Sequence, residues 1–488
     1  MSRLILYIVL IETNLQEEFI MVFSSMTFLW IFLPIVFVLS LIVRNIKIQN
    51  IILLIFSLLF YAWGEPAYLL ILLASVVMNW GFGLLMEYFE EHKKAILVVS
   101  LIGNIGIIGY FKYCNFILGT IDSILPISLP RFEISLPIGI SFFTFQAMSY
   151  IIDLYRGQYK AQKSLLNLAL YISFFPQLIA GPIVKYKDIE EQILERNSNL
   201  EKRATGFRRF IYGLGKKVII SNILAEIVDT IYTMDLQDIN GSMAWIAAIC
   251  YMLEIYYDFS GYSDMAIGLG RMFGFEFLEN FNYPYISSSI KEFWRRWHIS
   301  LSSWFRDYLY IPLGGNRKGN FRTYLNLIIV FAVTGLWHGA SWTFVIWGLY
   351  HGFFLIVERI GFGKVLSKSK ILGTIYSLIV VVIGWVFFRA DSIHFALAFI
   401  KRMVLPWNYG AASAVMGTML TTKAIIVLII GIVAAGPFQK LFELKGLNNV
   451  SVKWKNSIVE ALYLFMVLFY CILLLANDTY NPFIYFRF

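Results

Sequence analysis

Thr323-Tyr-Leu-Asn-Leu-Ile-Ile-Val-Phe-Ala-Val-Thr-Gly-Leu-Trp-His-Gly-Ala-Ser-Trp342 joins two apolar runs, 323–337 and 341–360, and sets His338 at the join with a glycine on either side. Apolar runs of this length read as helices that enter or cross a bilayer. The 15 residues of 323–337 rise only about 22 Å as helix, less than the roughly 30 Å of a hydrocarbon core. His338 is therefore expected within the membrane thickness. An ionisable side chain at that depth marks a functional site by default, because burying it without a purpose is costly. An imidazole with its ordinary pKa near 6.5 can act as a base near pH 7.

Working outward, similar runs lie near 28–43, 51–63, 67–86, 96–118, 136–153 and 210–232, and later near 242–257, 371–388, 421–437 and 457–477. The expected fold is all-α and polytopic, with about 11–12 transmembrane helices plus re-entrant and interfacial helices. Composition agrees: 59% of the 488 residues are hydrophobic and 15% charged, against about 25% charged in soluble domains. The net charge of +9 gathers in short connections, so it reports orientation and excludes nucleic-acid binding as its explanation. Arg44/Lys47, Lys93/Lys94, Lys185–Lys217, Lys291–Arg322, Lys364–Lys370 and Lys440–Lys455 fall on alternate connections, which the charge rule puts in the cytoplasm. Arg389, Lys401 and Arg402 break the alternation. Residues 1–20 read as an extension ahead of a start at Met21, and 21–488 as a single membrane domain. Cys114, Cys250 and Cys471 sit in apolar runs without a CxxC pair, so neither a disulfide framework nor a thiolate metal site is expected.

Two stretches do not read as simple spans. Phe174-Phe-Pro-Gln-Leu-Ile-Ala-Gly-Pro182 is apolar but interrupted by prolines and glycine, so a re-entrant or broken helix is expected. Asp258-Phe-Ser-Gly-Tyr-Ser-Asp264 reads either as a turn that caps the next helix or as a helix interruption facing a polar cavity.

From Lys291 to Tyr310, plotted at helical spacing, Trp294, Trp297, Leu301, Trp304, Phe305 and Tyr308 form one stripe. Arg295, Arg296, Ser303 and Asp307 take the other face, which describes one amphipathic helix lying in the membrane interface. His298, at the stripe's edge, should face protein, either as a structural histidine or as part of a site. His351 reads as packing, and His92 and His394 as solvated. No spacing suits a metal, and neither a GxSxG elbow nor a P-loop occurs. A histidine base without a neighbouring nucleophile points to direct transfer onto the acceptor's hydroxyl.

Trp294-Arg-Arg-Trp-His-Ile-Ser-Leu-Ser-Ser-Trp-Phe-Arg-Asp-Tyr-Leu-Tyr-Ile-Pro-Leu-Gly-Gly-Asn-Arg317 and Thr334-Gly-Leu-Trp-His-Gly-Ala340 resemble the membrane-bound O-acyltransferase superfamily, within it the alginate O-acetyltransferase branch of bacterial polysaccharide acetylases. Phe111-Lys-Tyr113, Leu136–Phe142, Phe175–Pro182, Asp258–Asp264 and Pro482–Phe486 extend the resemblance over nearly everything after Met21. It implies a multi-pass protein of the bacterial plasma membrane, with helices ringed around a thinned centre. It also implies His338 and His298 as the catalytic pair, and no bound cofactor or metal. Acetyl-CoA is the implied cytoplasmic donor, with Arg295, Arg296, Arg306 and Arg317 placed to meet its phosphates. Trp297, Trp337, Asp258, Ser260 and Asp264 are further candidates for substrate contact. Implied partners are membrane lipid, an extracytoplasmic polysaccharide and an exported partner acetyltransferase. The alternatives are a non-enzymatic polysaccharide exporter or scaffold, and D-alanyl, lipid or protein acyl transfer.

Overall fold

The computed structural model describes residues 21–125, 128–405, 413–437, 458–477, 481, 483 and 484. The 1–20 extension, the Lys440–Lys455 connection and most of Pro482–Phe486 lie outside the described residues. Among those described, every regular element is helical. Among the described residues, six helices are long and apolar enough to cross a membrane, including Ile46–Gly64 (α1), Leu69–Tyr88 (α2), Lys370–Arg389 and Ile458–Asn477. Phe28–Ile42 and Thr422–Ala434 are shorter apolar helices. The described residues fall into two compact units, the first within Met1–Phe210, Asp264–Leu278 and Ile472–Thr479, and the second within Ile211–Ser263, Glu279–Cys471 and Tyr480–Phe488.

In the first unit, α1 and α2 pack with Lys93–Ile108 (α3) and Ile140–Tyr155 (α4). Asn79 and Asn104 exchange amide hydrogen bonds of 3.1 and 2.8 Å across α2 and α3. With both buried in an apolar setting, this reciprocal pair fixes the register of the two helices. The proline-broken stretch is as expected: Leu165–Ser173 ends, Phe175–Leu178 makes one turn, and irregular backbone follows. That backbone survives because protein surrounds it; the Phe175 N–H, for example, donates to Ser57 Oγ at 3.1 Å.

Three expectations are corrected. Asp258–Asp264 neither turns nor interrupts, since Gly241–Met272 (α5) runs through it as one helix of 32 residues. Both carboxylates find cations from the side, Lys217 for Asp258 and Arg209 for Asp264, so the helix need not open to satisfy them. The 291–310 stretch is not one interfacial helix. It is Ile290–Arg296 (α6), a break at Trp297–His298, Ile299–Phe305 (α7) and a π turn at Arg306–Tyr310. Its aromatic stripe is buried in protein, with Trp294, Trp297, Leu301, Trp304 and Phe305 all in the core. Finally, Gly319–His338 (α8) starts four residues before the apolar run and has 20 residues. That gives a rise of about 30 Å, so helix length no longer places His338 short of the membrane surface. Its burial does.

Helix α8 packs tightly on Trp342–Val357 (α9). A Cβ at Gly335 would run into the Phe344 carbonyl, and one at Gly348 into the Phe331 carbonyl. Only glycine lets these backbones approach so closely, and that approach holds the end of α8, with His338, against α9.

Candidate functional site

Lys370–Arg389 (α10) completes the walls of the second unit around His338. A small cavity there is lined by Ile255 and Phe259 of α5, by Trp297, by His338, by Trp385 and Phe388 of α10, and by Ile484. It leaves about 10 Å³ for the centre of a water molecule to occupy, roughly one water's worth. His338 is 7% exposed. Its ring lies 4.9 Å from Trp337, 5.0 Å from Trp347 and 5.1 Å from Phe388, edge-on to each. The imidazole thus stands in an aromatic box with one side on the cavity.

His298 is fully buried and has a polar contact at its ring. Its Nδ1 is 3.1 Å from Asn280 Oδ1, and its ring meets Phe259 edge-on at 4.5 Å. Trp337 is in ring contact with both histidines, at 6.1 Å from His298. The backbone of His298 is left-handed (φ 43, ψ 57), shared among described non-glycine residues only with Tyr283. Such a conformation costs of order 1–3 kcal/mol and is found at functional sites. Burial pushes the His298 pKa well below its ordinary value, so the ring is neutral.

Behind the cavity lies a buried ion pair. Lys217 Nζ is 2.5 Å from Asp258 Oδ1, and the Ile484 N–H donates to Asp258 Oδ2 at 3.0 Å. Tyr262 stacks on Phe483 at 4.8 Å. Asp258 therefore anchors the C-terminal segment that supplies one cavity wall. Lys217, which the sequence places among loop lysines, is 3% exposed and turned inward by a π turn at Lys216–Ser221. Arg389 and Arg402, two of the three exceptions to the charge alternation, are also engaged inside the protein, while Lys401 is exposed. Arg389 pairs with Asp229 at 2.7 Å and Arg402 donates to the Ile239 carbonyl at 3.0 Å.

Of the candidates read from sequence, His338 and Trp297 line the cavity, Trp337 touches both histidines, and Asp258 acts through Ile484. Ser260 is buried on α5 but does not line the cavity, and Asp264 pairs with Arg209 in the first unit. The four arginines differ in their surroundings. Arg296 pairs with Glu292, Arg306 with Asp307, and Arg295 and Arg317 are exposed. His351 is buried beside Trp294 and Trp347 and does not line the cavity. Asn280, Lys217, Trp385, Phe388 and Ile484 were not singled out from the sequence.

A family model described as MBOAT, membrane-bound O-acyltransferase family, matches residues 156–400, which contain both histidines. A probable alginate O-acetylase AlgI of Pseudomonas putida is 39% identical over 96% of this chain and 100% of its own length. The chain belongs to the membrane-bound O-acyltransferase family. Among other MBOAT relatives, the probable alginate O-acetylase AlgI of Pseudomonas aeruginosa is 44% identical over 78% of this chain and 75% of its own. A peptidoglycan O-acetyltransferase of Helicobacter pylori is 36% identical over 80% and 81%. The chain is thus a multi-pass membrane O-acyltransferase, as the resemblance of its motifs implied.

Proposed function

We propose that this O-acyltransferase moves an acetyl group from a cytoplasmic thioester, acetyl-CoA, to hydroxyls of a polysaccharide outside the plasma membrane, directly or through an exported partner acetyltransferase. The observation that carries the reading is His338, buried and ringed by aromatics on a small cavity, in a chain of this family. In the reaction, His338 takes the proton of the attacking hydroxyl as its oxygen bonds to the thioester carbonyl carbon. The tetrahedral intermediate then expels the thiolate, which takes the proton from the imidazolium. The products are an O-acetyl ester and a free thiol, with His338 returned to its neutral form. The relatives described as acetylases of alginate and peptidoglycan support an acetyl donor and a polymeric acceptor. His298 supplies a second, neutral polar group next to Trp337. Arg295 and Arg317, exposed and cationic, are assigned to the donor's phosphates.

Growing wild-type and deletion cells on radioactive acetate and fractionating the envelope tests this. The expected result is alkali-labile label on an envelope polysaccharide in wild-type cells, absent from the deletion strain. Unchanged acetyl per sugar with loss of secreted polymer would overturn the reading in favour of an exporter. Label lost from a lipid or a protein instead would replace the acceptor.

A further inference from the structure

Helix α7 is short and begins at an unusual place. Its N-cap is His298, whose side chain makes no capping hydrogen bond. The first N–H groups of a helix have no partner within it, and in buried surroundings they must find one elsewhere. Asn280, 18 residues earlier in the chain, supplies it. The Asn280 backbone carbonyl accepts the Ile299 N–H at 2.9 Å, and its side-chain Oδ1 accepts the Ser300 N–H at 3.2 Å and the Ser300 hydroxyl at 2.9 Å. On its other side, Asn280 Nδ2 donates to Ser263 Oγ at 3.0 Å. A second backbone bond, Asn282 N–H to the Arg296 carbonyl at 2.9 Å, ties the same extended segment to the end of α6. One buried asparagine therefore clamps the break between α6 and α7 on which His298 sits.

This arrangement also decides where the His298 proton is. A backbone N–H can only donate, so the Asn280 atom that meets Ser300 N–H must be the carbonyl oxygen and not the amide nitrogen. His298 Nδ1 faces that same oxygen at 3.1 Å, and two lone pairs would repel there, so Nδ1 carries the hydrogen. In a neutral ring Nε2 is then a bare acceptor. Nε2 is buried and has no hydrogen-bond partner among the described residues.

We propose that Asn280 is a positioning residue: it holds His298 in the left-handed N-cap conformation as the Nδ1–H tautomer, so that Nε2 is presented as a hydrogen-bond acceptor for an O–H or N–H group of a substrate. The substrate clause rests on the acyl-transfer reading above; the tautomer does not. Solid-state nitrogen NMR of the full-length protein, labelled in its five histidines and reconstituted in lipid nanodiscs, measures it directly. The His298 resonances are identified by their loss in His298→Gln. The expected wild-type result is a protonated Nδ1 and an unprotonated Nε2 at His298. Asn280→Asp, which keeps an acceptor for Nδ1–H and Ser300, should retain that pattern, and Asn280→Ala should lose it to the Nε2–H form or a mixture. A protonated Nε2 in the wild type, or an unchanged spectrum in Asn280→Ala, would overturn the proposal. If Asn280→Ala fails to fold, the wild-type and Asn280→Asp spectra still decide. Acetate labelling that failed while the tautomer held would remove the substrate clause and leave Asn280's role standing.

Discussion

His298 and His338 are both buried imidazoles within one compact unit, yet their surroundings differ. His338 is the last residue of a long helix, and aromatic edges from Trp337, Trp347 and Phe388 surround it beside a cavity. His298 sits on a strained break between two seven-residue helices, fixed by an asparagine amide and away from the cavity lining. An aromatic box limits where a ring can lie. A hydrogen-bonded clamp fixes which nitrogen carries the proton. The first suits a group that must gain and lose a proton during turnover, and the second a group that must stay as it is.

That contrast can be broken at several points. The largest effect is expected at Asp258, which holds the cavity's C-terminal wall. Asp258→Asn leaves Lys217 buried without its counter-charge, and removing one partner of a buried pair costs about 3–5 kcal/mol. Thermal unfolding in detergent should show the loss, and Asp258→Asn with Lys217→Met should recover part of it. No shift in Tm would mean that the pair does not hold this wall. Next comes Phe388→Ala, with a cost of up to about 3–5 kcal/mol for a buried phenylalanine. It enlarges the space beside His338, so the rate with propionyl relative to acetyl donor should rise.

Acid should act on His298. Its folded pKa lies below the ordinary 6.5, so the neutral form stabilises the fold above pH 6.5. That contribution falls away as pH drops from 6.5 toward the folded value. Tm measured between pH 8 and pH 5 should decrease, and less so in His298→Gln. The smallest effect is expected at the exposed cations. Arg295→Ala and Arg317→Ala should leave Tm unchanged within about 0.5 kcal/mol, while raising the donor KM in a salt-dependent way.

Much of this architecture was legible in the sequence. Apolar runs gave the helical membrane class, and the cost of burying an ionisable group singled out His338. The Trp294–Tyr308 stripe was correctly apolar on one face, but helical periodicity cannot see a two-residue break that keeps both short helices facing inward. Nor can it tell a stripe buried in protein from one laid on lipid. Asp258–Asp264 looked like a turn because Asp, Ser and Gly favour turns. The cation that lets the helix continue, Lys217, lies 41 residues earlier and reads locally as a loop lysine. Ile484 meets Asp258 across 226 residues of chain. Contacts at such separations leave no local pattern.

The central claim is that His338 is the proton acceptor in O-acyl transfer, and the acetyl content per sugar of envelope polysaccharide tests it most directly. It is measured in cells that produce His338→Ala at the wild-type level and with the wild-type Tm. Loss of a positioned general base costs about 10²- to 10⁴-fold, so acetylation should fall to the level of the deletion strain. Acetylation at the normal rate in His338→Ala cells would contradict the account.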